Sequence, residues 1–399
     1  MIAYSAWKDL LRGRRLPAML VDLEAFDRNA RKLGQLARDR GKNLRVATKS
    51  IRVPELIGRL LAQGHPWRGL MCFSVEEAAV LANAGHSDLL IAYPTVQATD
   101  VALLRELHET GKKPCLVVDS REQLARLAEG LRGVREPFPL ILEIDLALRI
   151  AGAHLGVRRS PLRSVEGLGR LAQIVRAEFA PTLRVGGCMG YEAQVAGLGD
   201  RNPFKRWLNP AAWLVRRFSR TMIARRRAQI PAALAAAGVA SPIFNGGGSG
   251  SLDYATAEGA LTEVTAGSGF FGPHLFDYYS NISFEPAAFF ALQAVRASDP
   301  GYVTCLGGGY IASGEPGWDR VPRPWLPEGA ALISSEGAGE VQTPLRLARA
   351  TDVAIGDPVL FRHAKAGELA ERFNECLLVQ GGKIVGTAKT YRGLGHCFF

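Results

Sequence analysis

The run Leu44-Arg45-Val46-Ala47-Thr48-Lys49 decides the fold. It is a short, mostly apolar stretch ending in a single amine, as expected of a parallel strand buried on both faces that opens into a cavity. Further runs of this kind follow at Leu70–Ser74, Leu89–Pro94, Cys115–Ser120, Leu140–Asp145, Leu183–Gly190, Ile243–Gly248 and Thr262–Ser268. Helical patterns such as Val75–Ala84, Thr99–Thr110 and Arg121–Leu131 lie between them. Eight strand–helix units make the arithmetic of an α/β fold, a TIM-type (β/α)8 barrel. A doubly wound open sheet competes, but no dinucleotide fingerprint follows the first run.

Beyond about Ala287 the texture changes to short β-type segments, many Gly and Pro, and a long turn region at 314–329. The last such segments are Leu377–Val379, Ile384–Thr387 and Tyr391. This predicts a barrel over 1–286 and a mainly β C-terminal domain over 287–399, with the first residues as candidates to join the β domain. A length of 399 residues suits that division, and 47% hydrophobic with 22% charged residues suits a globular protein with a sizeable core. No apolar run approaches membrane-spanning length and the N-terminus lacks the order of a secretory signal, so a cytoplasmic protein without a membrane partner is expected. The six cysteines are scattered without a CxxC pair, which reads as reduced thiols rather than a disulfide or zinc framework.

The net charge of +11 concentrates between Lys205 and Arg227, where Arg206, Arg216, Arg217, Arg220, Arg225 and Arg226 alternate with apolar residues and no acid intervenes. A solvated outer helix, a nucleic-acid or membrane contact, and a basic lid that attracts anionic substrates are the three readings. No nucleic-acid-binding motif accompanies the charge, so no nucleic-acid partner is expected.

Four places could carry chemistry. Lys49 stands where a barrel enzyme can hold a Schiff-base lysine, against the alternative of a solvated strand cap. Asn245-Gly246-Gly247-Gly248-Ser249-Gly250-Ser251 follows the seventh run. Its successive amides can converge on one anion, although it completes neither GxGxxG nor a Walker loop and could be a tight turn without a ligand. Gly267-Ser268-Gly269 opens a second small-residue turn after the eighth run. Tyr191 and Gln194 after the sixth run, and His154 after the fifth, reach the same rim in a barrel, against packing roles for each.

Together these residues resemble the fold-type III pyridoxal-phosphate enzymes. Within them the chain is similar to the D-threonine aldolase and D-serine dehydratase-like branch of the alanine racemase superfamily (the amino acid deaminase/aldolase type). The resemblance runs from Pro17 to about Arg392 and rests on Pro17-Ala18-x-Leu20-Val21-Asp22, Ala47-Thr48-Lys49, Gly190-Tyr191-Glu192, Gly246-Gly247-Gly248-Ser249-Gly250 and Glu263…Gly267-Ser268. Ser335-Glu336-Gly337 and Gly356-Asp357 are similar to landmarks of the branch's second domain.

The resemblance implies pyridoxal 5'-phosphate on Lys49, with its phosphate near Gly247, Gly248, Ser249, Gly267 and Ser268, and with His154, Tyr191 and Gln194 around the ring. It implies a lyase, aldolase or dehydratase (deaminase), acting on β-hydroxy D-amino acids through an external aldimine, with Lys49, Tyr191, His363 and Lys365 as catalytic candidates. A homodimer is the family expectation.

The departures from the branch are His154 where an Arg is usual, Gln194 for a His, and Gly269 for an aromatic. His363-Ala364-Lys365 stands where the branch has His-x-Cys or His-x-Asp holding a divalent ion. An ammonium repels a cation, so no divalent metal is expected, and Lys365 is the candidate to supply the positive charge. An amino-acid racemase, with Tyr310 as the candidate second base, and a non-catalytic pyridoxal-phosphate binder are the alternatives.

Overall fold

The protein was analysed as a computed structural model, in which residues 3–150, 152–239, 243–348, 351 and 353–398 are described. The barrel strands are β1 (Asn43–Ala47), β2 (Trp67–Cys72), β3 (Leu89–Ile91), β4 (Pro114–Val118), β5 (Phe138–Glu143), β6 (Leu183–Met189), β7 (Ile243–Gly246) and β8 (Glu263–Ala266). They pair in parallel, and the circle closes where β8 meets β1, Glu263 opposite Asn43 and Ala266 opposite Val46. Each of the eight predicted runs coincides with one strand. Most strands leave the ladder about two residues before the predicted end. After β1, β3, β7 and β8 such residues (Lys49, Ala92 and Tyr93, Gly247 and Gly248, Gly267 and Ser268) become walls of the site described below.

The barrel interior is layered. Leu90, Val117, Ile141 and Met189 pack one apolar layer. Towards the N-terminal ends of the strands, Arg45 is fully enclosed and pairs with Glu263 (2.8 Å) and Asp88 (2.9 Å). Asn245 Nδ2 donates to Glu263 at 2.8 Å and to Thr265 Oγ1 at 2.8 Å. A charge buried this deeply is tolerated only because every partner is present.

The predicted helices appear as Val75–Asn83, Ala98–Glu109 and Arg121–Gly130. Ser74 and Ser120 cap two of them by accepting from Glu77 N and Gln123 N. The basic stretch lies largely on a 28-residue helix, Asn209–Ala236, between β6 and β7. Arg206, Arg217 and Arg225 are exposed, as a solvated outer helix requires, but two of its arginines are not. Arg216 is buried against Asp200 (3.1 Å), and Arg227 is buried against Glu192 and Glu258. Trp207, Trp213, Leu214 and Phe218 face outward instead.

The remaining architecture is a nine-stranded sheet. At its centre Ala288–Arg296 pairs antiparallel with Ala18–Asp22, which in turn pairs parallel with Glu375–Gln380. The chain's first strand is therefore a strand of the C-terminal sheet. Asp22 ends that strand and caps the next helix, Leu23–Arg38, accepting from Glu24 N (2.9 Å) and Ala25 N (3.0 Å). No described helix is long and apolar enough to cross a membrane, and none of the six cysteines is in a disulfide.

Candidate active site

Lys49 sits on a single 3-10 turn, Thr48–Ser50, directly after β1. The turn is held from several sides. Thr48 Oγ1 donates to the Met71 carbonyl at 2.9 Å, Ser50 Oγ lies 3.3 Å from Ser268 Oγ, and Arg52 Nε donates to the Lys49 carbonyl at 3.0 Å. With its backbone fixed, the Lys49 side chain projects into a pocket at the C-terminal rim of the barrel. Its Nζ donates to Tyr93 Oη at 2.6 Å.

Tyr93 follows β3. Burial alone would raise its phenol, but the Lys49 ammonium, the hydrogen bond from it and the Arg159 guanidinium outweigh that and bring it below the ordinary value. Arg159 lies over two rings, 5.5 Å from the centroid of Tyr93 and 5.5 Å from that of Tyr191. Tyr191 is moved the other way, up to about 12, by burial and by the neighbouring Glu192, with Arg159 opposing. Behind Arg159 the Glu143 carboxyl at the end of β5 is pushed up to about 7 by burial, again against the pull of Arg159.

The opposite wall is the glycine loop after β7. Its shape is set by Glu192, which is fully buried and accepts from Ser251 Oγ (2.7 Å), Gly247 N (3.2 Å) and Arg227. Gly247 adopts φ +86°, a conformation that L side chains rarely adopt. Ser249 Oγ accepts from Gly267 N (3.1 Å) and Gly269 N (3.0 Å), locking this loop to the turn after β8. Gly267 must be glycine for space as well: a Cβ would come 2.7 Å from Ser50 Oγ and 2.9 Å from Ala47 Cβ. Among the described residues, the amides of Ser249, Gly250 and Ser268 have no protein acceptor. Uncommitted amides beside a fixed lysine suit a phosphate-bearing aldehyde such as pyridoxal phosphate.

The structure thus brings Lys49, Tyr191, Gly247, Gly248, Ser249, Gly267 and Ser268 to one pocket. It does not bring His154 or Gln194 there. His154 lies on a hairpin beyond β5, with Nε2 3.3 Å from the Val157 carbonyl, and Arg159 further along that loop enters the pocket instead. Gln194 points away, donating to the Leu146 carbonyl at 2.7 Å and bracing the loop after β5. Gly269, which replaces an expected aromatic, leaves room for the Phe284 ring, since a Cβ would sit 2.6 Å from it. Tyr93 and Arg159 escape sequence reading. Tyr93 hides within the overlong third run, and Arg159 stands sixteen positions past Glu143, beyond the hairpin.

His363 and Lys365 line a different cavity, at the seam between barrel and sheet. His363 is buried edge-on against Phe271, and the Ala288 backbone approaches it without a well-formed hydrogen bond to either ring nitrogen. Burial and the Arg362 charge move it down to about 3, so the ring is neutral. Lys365 Nζ donates to Ser313 Oγ at 2.9 Å and pairs with Glu368 at 2.9 Å. Glu371 in the same wall is engaged by Arg52 at 2.7 Å. Among the described residues no group of three or more His, Cys, Asp or Glu could hold a metal ion, and the wall's two carboxylates are committed to cations. The Lys365 ammonium in the same wall adds positive charge where a divalent ion would sit. Tyr310 belongs to this second cavity too, packed on Phe290 and Phe373.

Residues 21–274 match the sequence profile of the alanine racemase N-terminal domain. A D-threonine aldolase from Arthrobacter sp is 27% identical over 256 residues, 63% of this chain and 60% of that protein. A 3-hydroxy-D-aspartate aldolase from Paracoccus denitrificans (strain Pd 1222) is 26% identical over 255 residues, 63% of this chain and 59% of that protein. The chain therefore matches about three-fifths of the length of these curated relatives. Among solved structures, D-threonine aldolase from Filomicrobium marinum superimposes with a TM-score of 0.81 at 23% identity, covering 96% of each chain. A variant of D-threo-3-hydroxyaspartate dehydratase described in a metal-free form superimposes with a TM-score of 0.71 at 21% identity, covering 96% of this chain and 99% of that one.

Proposed function

Because the chain belongs to the alanine racemase N-terminal domain family, which implies pyridoxal phosphate, we propose that it is a pyridoxal-phosphate-dependent lyase, an aldolase or dehydratase, acting on β-hydroxy D-amino acids. One observation carries this reading: the Lys49 amine and the free amides of the glycine loop line one pocket. Kinship with the aldolases of Arthrobacter and Paracoccus supports the substrate class. A cytoplasmic homodimer that needs no divalent metal completes the proposal.

Lys49 would hold the cofactor covalently, and Ser249 N, Gly250 N and Ser268 N would hold its phosphate. When bound, the cofactor draws electrons from the substituents of the substrate's α-carbon. This chain's residues supply the rest. The rigid Thr48–Ser50 turn fixes the lysine's direction. Lys49 Nζ donates to Tyr93 Oη at 2.6 Å, so the amine and the phenol would act as a pair when a proton moves to or from a substrate. Arg159 holds the two tyrosine rings apart and supplies fixed positive charge at the mouth.

Incubating the pure protein and cofactor with D-threonine, D-serine and D-alanine tests the reading. Glycine from D-threonine or pyruvate from D-serine is the expected product. L-alanine as the only product would replace the lyase with a racemase, and no product at all would favour a cofactor carrier.

Tyr93 offers a second check. Its phenol titrates below the ordinary tyrosine value because burial is outweighed by Lys49 and Arg159. Above that pH the phenol is ionised and has no proton to give, so turnover of the normal enzyme falls on the alkaline side. In Tyr93→Phe, kcat is expected to drop by about 10- to 100-fold and this alkaline limb to vanish from the pH profile. An unchanged limb would remove Tyr93 from proton transfer.

A further inference from the structure

The outward face of the helix Asn209–Ala236 takes no part in the site at Lys49. At about 100° per residue, the buried Arg216, Ser219, Ile223 and Arg227 fall on one side of it. The opposite side carries Leu214, Phe218 and Arg225, with Trp213 and Arg217 along one flank. Trp207 continues the line on the turn Arg206–Leu208, just before the helix. Trp207 is 79% exposed and Phe218 62%. Arg217 lies 5.4 Å from the centroid of the Trp213 ring. The result is a ridge roughly 25 Å long with an apolar crest. An ordinary outer helix turns a polar face to water.

The charge beside this crest has one sign. No acid stands between Asp200 and Asp253 in the sequence. The ion pairs of the segment use Lys205, Arg216 and Arg227. Arg206, Arg217 and Arg225, all exposed, have no carboxylate partner among the described residues.

We propose that this face docks on an anionic lipid surface, the helix lying in the plane of the headgroups. Such a surface sets negative charge above hydrocarbon and so satisfies the arginines and the crest together. Trp207, Leu214 and Phe218 enter the acyl boundary, while Trp213 stays at headgroup level with Arg217 stacked on it. A second copy is the poorer occupant, because a two-fold contact sets the same patch against itself and arginine against arginine. No described helix is long and apolar enough to cross a membrane. That bears on spanning, the ground for expecting no membrane partner, and leaves surface contact open. The docking face goes beyond the lyase reading and does not rest on it.

The test uses the pyridoxal-phosphate holoenzyme and sedimentation with sucrose-loaded vesicles, of phosphatidylcholine alone or with about one third phosphatidylserine. The anionic vesicles should be bound about tenfold or more tightly, and about 0.5 M salt should remove most of that preference. Leu214→Ser/Phe218→Ser and Arg217→Gln/Arg225→Gln should each weaken binding by about tenfold. Arg217→Lys/Arg225→Lys, which keeps the charge, should bind nearly as the normal protein does. All four positions face outward, so circular dichroism, the unfolding midpoint and cofactor absorbance should not change.

Equal binding to both kinds of vesicle, or to neither, overturns the proposal. Binding untouched by the serine variant or by the glutamine variant overturns it as well. A normal protein that elutes as a larger species than the serine variant would show that a second copy covers the face, and would also overturn it.

Discussion

Lys49→Ala should lose the visible absorption of bound pyridoxal phosphate together with all measurable turnover. Removing a residue that holds a reacting group covalently typically costs about four to six orders of magnitude in rate, far above what binding contacts supply. The structure makes substitution by another side chain difficult. The neighbouring cations are Arg159, which lies over two tyrosine rings, and Arg52, which is tied to Glu371 and to the Lys49 carbonyl. Neither is a primary amine, so neither can form the covalent link. The measurement is a spectrum of the normal and variant proteins after cofactor addition and dialysis, before and after borohydride. A variant that retained a reducible band would show that another amine carries the cofactor, and the proposed chemistry would need a new centre.

Glu192→Ala should have the largest effect on stability. This carboxylate is completely enclosed, and it pairs with Arg227, accepts from Ser251 Oγ and takes the Gly247 amide. Removing it leaves a buried guanidinium with one carboxylate, Glu258 at 2.8 Å, and the Gly190 carbonyl at 2.6 Å. Breaking a buried pair from one side costs about 3–5 kcal/mol, because the remaining charge is stranded without water. The same change frees Ser251 and Gly247, so the glycine loop loses the brace that sets its curvature. Two readouts are expected to move together: a lower midpoint of thermal or urea unfolding, and release of cofactor on dialysis under conditions where the normal protein retains it. Glu192→Gln, which keeps an acceptor but not the charge, should fall between. Loss of stability with full cofactor retention would separate the ion pair from the loop.

The parts of the fold and site readable from residues are those governed by local physics. β1 to β8 announce themselves because strands buried on both faces are mostly apolar, and the spacing between most of them suits helices. Lys49 and the Gly246–Gly250 loop stand out because a lone amine at a strand end and consecutive glycines are both costly without a purpose. What stays hidden depends on paths through space. Arg159 reaches the pocket only after a hairpin whose direction no residue pattern encodes, so His154, nearer in sequence, is the natural but wrong candidate for the wall. Gln194 misleads for a similar reason, since its side chain finds a backbone carbonyl closer than the pocket. The basic helix misleads because net charge cannot reveal that Arg216 and Arg227 meet buried acids.

Ala18–Asp22 lies between Ala288–Arg296 and Glu375–Gln380. Both edges of its slot come from segments far along the chain, so the strand has no partner in this sheet until Ala288–Arg296 has been made, and its second edge waits for Glu375–Gln380. Severing the molecule between barrel and sheet would strand that segment on the wrong fragment and open a raw hydrogen-bonding seam in the other. The two halves are stitched into a single unit of inheritance: neither can be borrowed, swapped or truncated without carrying a piece of its neighbour.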